Sequence, residues 1–190
     1  MESEAIKIDE YLGCDTDKRF TFLYENYSVM RPIIKDYRED LISDVYDMKT
    51  YNRRAANGEL GVRIQVSRGR SSPTEKEGIS HLTIAKAIDE GYLDEDFFED
   101  TDDPKDLIRR VTVYHLVRKD FETFSSKLGT LDPTEQRILK PYLLREKSMS
   151  DLAEEMGVDY RSAVKRVYRI RKRLSEIVEP RLRKEYGYGA

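Results

Sequence analysis

Asp151-Leu-Ala153-Glu-Glu-Met-Gly157-Val-Asp159-Tyr-Arg161-Ser-Ala-Val-Lys165-Arg-Val-Tyr-Arg169-Ile-Arg-Lys-Arg173-Leu174 divides at a single glycine. Ala153 stands four residues before Gly157, where one helix must pass close to another and only a small side chain fits. Gly157 takes a left-handed backbone conformation at no steric cost, and so ends the first helix. Val158 is expected to point back into the corner. Asp159 is expected to cap a second helix by accepting from backbone N–H groups two or three residues on. That helix starts near Tyr160. Its apolar residues Ala163, Val167, Ile170 and Leu174 recur at spacings of four, three and four, which puts them on one buried stripe.

The other faces carry Arg161, Ser162, Lys165, Arg166 and Arg169. Lys165, Arg166 and Arg169 have no acid three or four residues away, so no partner along the helix neutralises them. From Tyr160 to Ala190 ten Lys and Arg face three acids, a balance of +7; the whole chain carries −3, so the first 159 residues carry −10. Such polarity draws a polyanion to one end and repels it from the other. A plain solvated helix face is the alternative for the charge run. Helix, glycine turn and basic helix together make the pattern of a helix-turn-helix that reads double-stranded DNA in the major groove. In that pattern Tyr160, Arg161, Ser162 and Lys165 are placed at base edges, and Arg166, Arg169, Arg171, Lys172 and Arg173 on phosphates.

Upstream, Leu131-Asp132-Pro133-Thr134-Glu135-Gln-Arg-Ile138-Leu139 predicts another helix, from Pro133 to about Leu144. Asp132 suits the N-cap, Pro133 the first helical position, and Glu135 closes a capping box. Ile138, Leu139, Tyr142 and Leu143 should pack against the two helices that follow. Ser148-Met-Ser-Asp151 repeats the capping chemistry.

With these residues in view, Leu131–Leu174 resembles region 4 of the sigma-70 family of RNA polymerase specificity subunits. The shared features are the Leu-x-Pro-x-Glu-x-x-Ile-Leu helix start, Asp151-Leu-Ala-Glu-Glu-Met-Gly-Val158, and the Arg169-Ile-Arg-Lys-Arg-Leu174 exit. Nothing in the first 130 residues resembles sigma regions 2 or 3, and the chain has no tryptophan, which argues against an autonomous sigma factor. The tyrosine-rich first half and the middle segment Val62-Arg-Ile64-Gln-Val66-Ser-Arg-Gly69-Arg-Ser-Ser-Pro73 make the whole chain similar to phage and prophage late-gene regulators of the ArpU and RinA type. That resemblance implies a cytoplasmic protein acting on DNA ahead of late genes, with host RNA polymerase as a partner.

Towards the N-terminus Phe20, Leu23, Tyr27, Met30, Ile34, Tyr37 and Leu41 alternate spacings of three and four, the seam of a helical hairpin or coiled coil. Pro32 costs about 3 kcal/mol in a helix interior, so the seam is read as two helices or one kinked near Met30. The seam serves either homodimer formation or packing within the chain. Val62–Ser67 alternates apolar and polar residues, as a short strand or extended arm would. Arg63, Arg68 and Arg70 beside it fit a loop or phosphate contacts. Pro73 and Pro104 open two further helices. The first ends at Gly91, and the second reaches about Lys127 with Leu107, Val111, Tyr114, Val117, Phe121, Phe124 and Leu128 on one face.

Ten acids and one base lie in Asp89–Asp106, without calcium-loop spacing, and are read as a solvated acidic linker that shields the basic helix rather than as a metal site. His81 and His115 have no triad partners nearby, and Cys14 is the one cysteine, so neither catalysis nor a cofactor is expected. No run approaches the ~18 to 20 apolar residues of a membrane span. The expected fold is mainly α: a helical N-terminal region over 1–103 containing the hairpin and acidic linker, a linking helix over 104–128, and a sigma-70 region 4-like helix-turn-helix bundle over 129–190. The alternatives to a transcription regulator are a DNA-packaging subunit of the small-terminase kind and a polymerase-binding adaptor.

Overall fold

Five helix starts in this chain share one chemistry, an acid or hydroxyl that accepts from the backbone N–H two or three residues on. Asp15 accepts from Lys18 N at 3.0 Å, Asp103 from Asp106 N at 3.0 Å, and Asp159 from Ser162 N at 3.0 Å. Asp132 with Glu135 and Ser148 with Asp151 close full capping boxes. A computed structural model describes residues 8–56, 73–91, 95–98 and 101–183. Among these residues the chain is helical, with no strand. After a 3-10 turn at Ile8–Gly13 come α1 (Thr16–Asn26), α2 (Met30–Ala56), α3 (Pro73–Glu90), α4 (Glu95–Phe98), α5 (Pro104–Leu128), α6 (Pro133–Leu143), α7 (Met149–Glu155) and α8 (Tyr160–Arg183). The extended segment read at 62–67 and Arg63, Arg68 and Arg70 lie outside the described residues.

The seam from Phe20 to Leu41 breaks into two helices, because Tyr27–Val29 form a turn and α2 begins at Met30. Pro32 thereby falls in the first turn of α2, where its missing N–H has no intrahelical acceptor. Phe20, Leu23, Met30 and Leu41 are buried within the chain itself. The predicted α5 face, Leu107 through Leu128, is buried at all seven positions.

The chain forms two compact units, one of Met1–Ile33 with Leu116–Ala190, the other of Ile34–His115. α5 contributes residues to both units, and the N-terminal residues join the C-terminal ones. The second unit is built on Leu41, Ile42, Val45, Ile84, Ile88, Phe98, Leu107, Val111 and Tyr114. Several of its described acids are engaged within the unit. Asp89 accepts from Arg38 at 2.7 Å and from the Tyr114 hydroxyl at 3.1 Å, Asp44 pairs with Arg110 at 2.7 Å, and Asn52 donates to Asp102 at 3.0 Å.

The first unit is joined across the sequence by Asp120, a fully buried carboxylate on α5. Its Oδ2 accepts from the Tyr11 hydroxyl at 2.8 Å, from Arg19 Nε at 2.9 Å and from Arg19 Nη2. Burial works against the Arg19 charge, but the Asp120 carboxylate more than offsets it. Burial and the same carboxylate push the Tyr11 phenol far above its ordinary value. Around this cluster Phe20 meets Phe124 at 5.6 Å, and Tyr27 meets Phe121 and Phe124 at 5.5 Å each. In the same unit α8 packs on α1, α6 and α7.

Candidate functional site

α7 ends where the sequence places its end. Gly157 has φ +62°, its N–H donates to Glu154 O at 3.0 Å, and Val158 N–H donates to Ala153 O at 3.0 Å. These paired bonds satisfy the last carbonyls of α7. Ala153 is buried as expected, but Val158 is 37% exposed. The corner is closed by the Val158 backbone, and its side chain stays outside. The same bond pair closes α6, with Glu146 N–H to Pro141 O at 2.9 Å and Arg145 N–H to Tyr142 O at 3.1 Å. There the left-handed position is held by Arg145, at φ +58°.

Asp159 fixes the start of α8. Besides the Ser162 N–H it accepts from the Ser162 hydroxyl at 2.5 Å, and these two bonds hold its carboxyl below the usual range. Ser162, expected at a base edge, therefore gives its hydroxyl proton to the cap. Ala163, Val167, Ile170 and Leu174 are buried as one stripe, and Val178 and Leu182 extend it.

Advancing about 100° per residue, Tyr168, Arg161, Lys172, Lys165 and Arg169 fall within roughly 100° of arc opposite that stripe. All five are exposed. Among the described residues no carboxylate pairs with Arg161, Lys165, Arg166, Arg169 or Lys172; Arg169 Nε donates to Lys165 O at 3.4 Å. Arg166 sits on one flank, at a hollow of about 210 Å³ shared with Arg137, Ile138, Leu152 and Glu155. Glu155 is already engaged by Lys147 at 2.6 Å and Arg137 at 3.3 Å, which lower its pKa.

Two residues expected on phosphates have partners within the chain. Arg173 pairs with Glu135 of α6 at 3.0 Å. Arg171 is half-buried, its guanidinium 4.7 Å from the Tyr24 ring centre and donating to Thr21 at 3.4 Å. α1 and α8 are thus held together by a stacked cation. Val164 and Tyr168, on neither the predicted buried stripe nor the predicted cation face, are 38% and 64% exposed; Tyr160 is 56% exposed. Their signal was present as apolar positions at steps of four from Tyr160, lying off the buried stripe.

Other candidate groups are engaged structurally. His81 stacks on Tyr46 at 4.0 Å between ring centres, and His115 Nε2 lies 2.6 Å from Ile88 O. Among the described residues no group of three or more His, Cys, Asp or Glu is placed to hold a metal ion. No helix among them is long and apolar enough to cross a membrane. Comparison with protein-family models, with curated proteins and with solved structures found no match.

Proposed function

We propose that this chain is a sequence-specific DNA-binding regulator of transcription of the phage type, acting beside RNA polymerase. In this reading α7, the Gly157 turn and α8 form a helix-turn-helix of the sigma-70 region 4 kind, and α8 enters the major groove. One observation carries the proposal: the outward face of α8 presents Arg161, Lys165, Arg169 and Lys172 without carboxylate partners among the described residues, opposite a fully buried stripe. A cation facing water with no local acid is free to displace counterions from a phosphate backbone. Arg161 and Lys165, in the first turns of α8, stand where helix-turn-helix proteins reach base edges. Arg166, Arg169 and Lys172 follow the phosphates. Arg171 and Arg173 orient α8 through Tyr24 and Glu135.

Fluorescence anisotropy of the full chain on duplexes of differing sequence, across salt concentrations, tests this. Binding should weaken steeply with salt, by about 0.9 in log–log slope for each phosphate neutralised. Arg161→Ala should cost roughly 1 to 3 kcal/mol on the preferred sequence only, whereas Lys172→Ala should weaken all duplexes alike. Affinity that ignores both salt and sequence overturns the proposal.

A further inference from the structure

Tyr160, Val164 and Tyr168 form an exposed ridge on α8, one residue before Arg161, Lys165 and Arg169 respectively. Residues four apart on a helix are neighbours, so three large apolar groups run in a line between the buried stripe and the cation face. Neither tyrosine hydroxyl has a partner among the described residues. The ridge does not contribute to the core of its unit, and leaving it in water is unfavourable. We propose that this ridge reads the C5-methyl groups of thymine in duplex DNA. The inference rests on the DNA-binding reading above and deepens it to the chemistry of the bases recognised.

The neighbours of the ridge select the occupant. Protein interfaces deplete charge at their apolar centres, and here each apolar group lies beside a cation that would have to be desolvated. A DNA duplex takes both kinds of group together, base-edge acceptors and phosphates for the cations and the apolar part of the groove floor for the ridge. Within an intact duplex the base faces are stacked and unavailable. The apolar group that the major-groove edges offer is the thymine methyl. Residues four apart on α8 stand about 6 Å apart along its axis, and base pairs are about 3.4 Å apart. With α8 along the groove, the methyls read by successive ridge residues are therefore roughly two base steps apart.

The test begins by enriching, from a pool of random duplexes, those bound by the full chain. Each thymine of an enriched duplex is then replaced singly by deoxyuridine, which keeps every hydrogen-bonding group and removes the methyl alone. At one or more thymines, spaced about two steps apart, the unaltered chain should lose about fourfold in affinity, the worth of one buried methyl group. Val164→Ala and Tyr168→Ala should each abolish the thymine-over-uracil difference at one position while keeping the salt slope of the parent. Enriched duplexes bound equally well with thymine or uracil at every position would overturn the methyl inference and leave the DNA-binding reading standing. Enrichment of no duplex would overturn both.

Discussion

Asp120→Ala would take from Arg19, a residue only 3% exposed, its bonds to the Asp120 carboxylate, and would remove the acceptor of the Tyr11 hydroxyl. Breaking a buried pair by removing one partner costs about 3 to 5 kcal/mol, because the remaining charge is left desolvated and uncompensated. For a unit of this size a melting temperature falls by about 4 to 8 °C per kcal/mol. Asp120→Ala should therefore lower the transition of the unit holding α1, α6, α7 and α8 by at least about 12 °C. Tyr11→Phe removes one hydrogen bond to a charged acceptor and leaves Arg19 paired, so its cost should be only about 1.5 to 3 kcal/mol. Replacing the whole cluster by Tyr11→Phe, Arg19→Met and Asp120→Leu removes its three polar side chains together. That triple variant should recover most of the stability, since well-packed apolar substitutes for buried ion pairs are often neutral or better. Calorimetry and urea denaturation read by circular dichroism measure all three. If Asp120→Ala costs under about 1 kcal/mol, or if the triple variant is no more stable than the single, the burial argument is wrong.

Arg145 occupies a left-handed position at φ +58° that costs a side-chain-bearing residue about 1 kcal/mol. Arg145→Gly should accordingly raise stability by up to that amount in urea denaturation, and Gly157→Ala should lower it by about 1 kcal/mol, although nothing lies within 4 Å of an added Cβ. For pH, the carboxyls of Asp132, Asp151 and Asp159 are held below their ordinary value, chiefly by bonds from Thr134, Ser148 and Ser162 respectively. Stability from a lowered folded pKa is fully present above the unfolded value of about 3.9 and is lost as pH falls through the folded one. Helicity should therefore hold to about pH 4 and decline below it; a cap-dependent loss centred above pH 5 would contradict this. Arg171→Ala should lower the melting temperature through loss of the Tyr24 contact while leaving the salt slope of the proposed DNA binding unchanged, and Lys172→Ala should do the reverse. A reduced slope for Arg171→Ala would make it a phosphate contact after all.

Local chemistry was legible in the sequence wherever a signal and its consequence lie within one helical turn. The Asp132–Glu135 and Ser148–Asp151 boxes, the Asp159 cap, the Gly157 turn and the buried faces of α5 and α8 all follow from spacing, because a cap or an amphipathic stripe is satisfied by near neighbours. Spacing also showed that Lys165, Arg166 and Arg169 lack acids along their own helix. It did not show that Arg173 meets Glu135, thirty-eight residues away, or that Arg171 turns aside to Tyr24 and Thr21. The turn motif predicts Val158 in the corner, but the bond from its N–H to Ala153 O positions the backbone there and leaves the side chain outside. The exposure of Val164 and Tyr168 is not visible in spacing, because an apolar residue on an exposed ridge looks, in one dimension, like one more core position.

By itself, then, the chain determined the starts of α3 and of α5 to α8, the stops of α3 and α7, and a basic C-terminal helix with one buried stripe. Tertiary structure alone decided that α1 would pack against α8, and that Tyr11 and Arg19 would meet Asp120 more than a hundred residues on. It also decided which cations stay unneutralised. The physical reason is range: caps and periodicity act over one to four residues, whereas a buried carboxylate requires partners from wherever the folded chain can bring them.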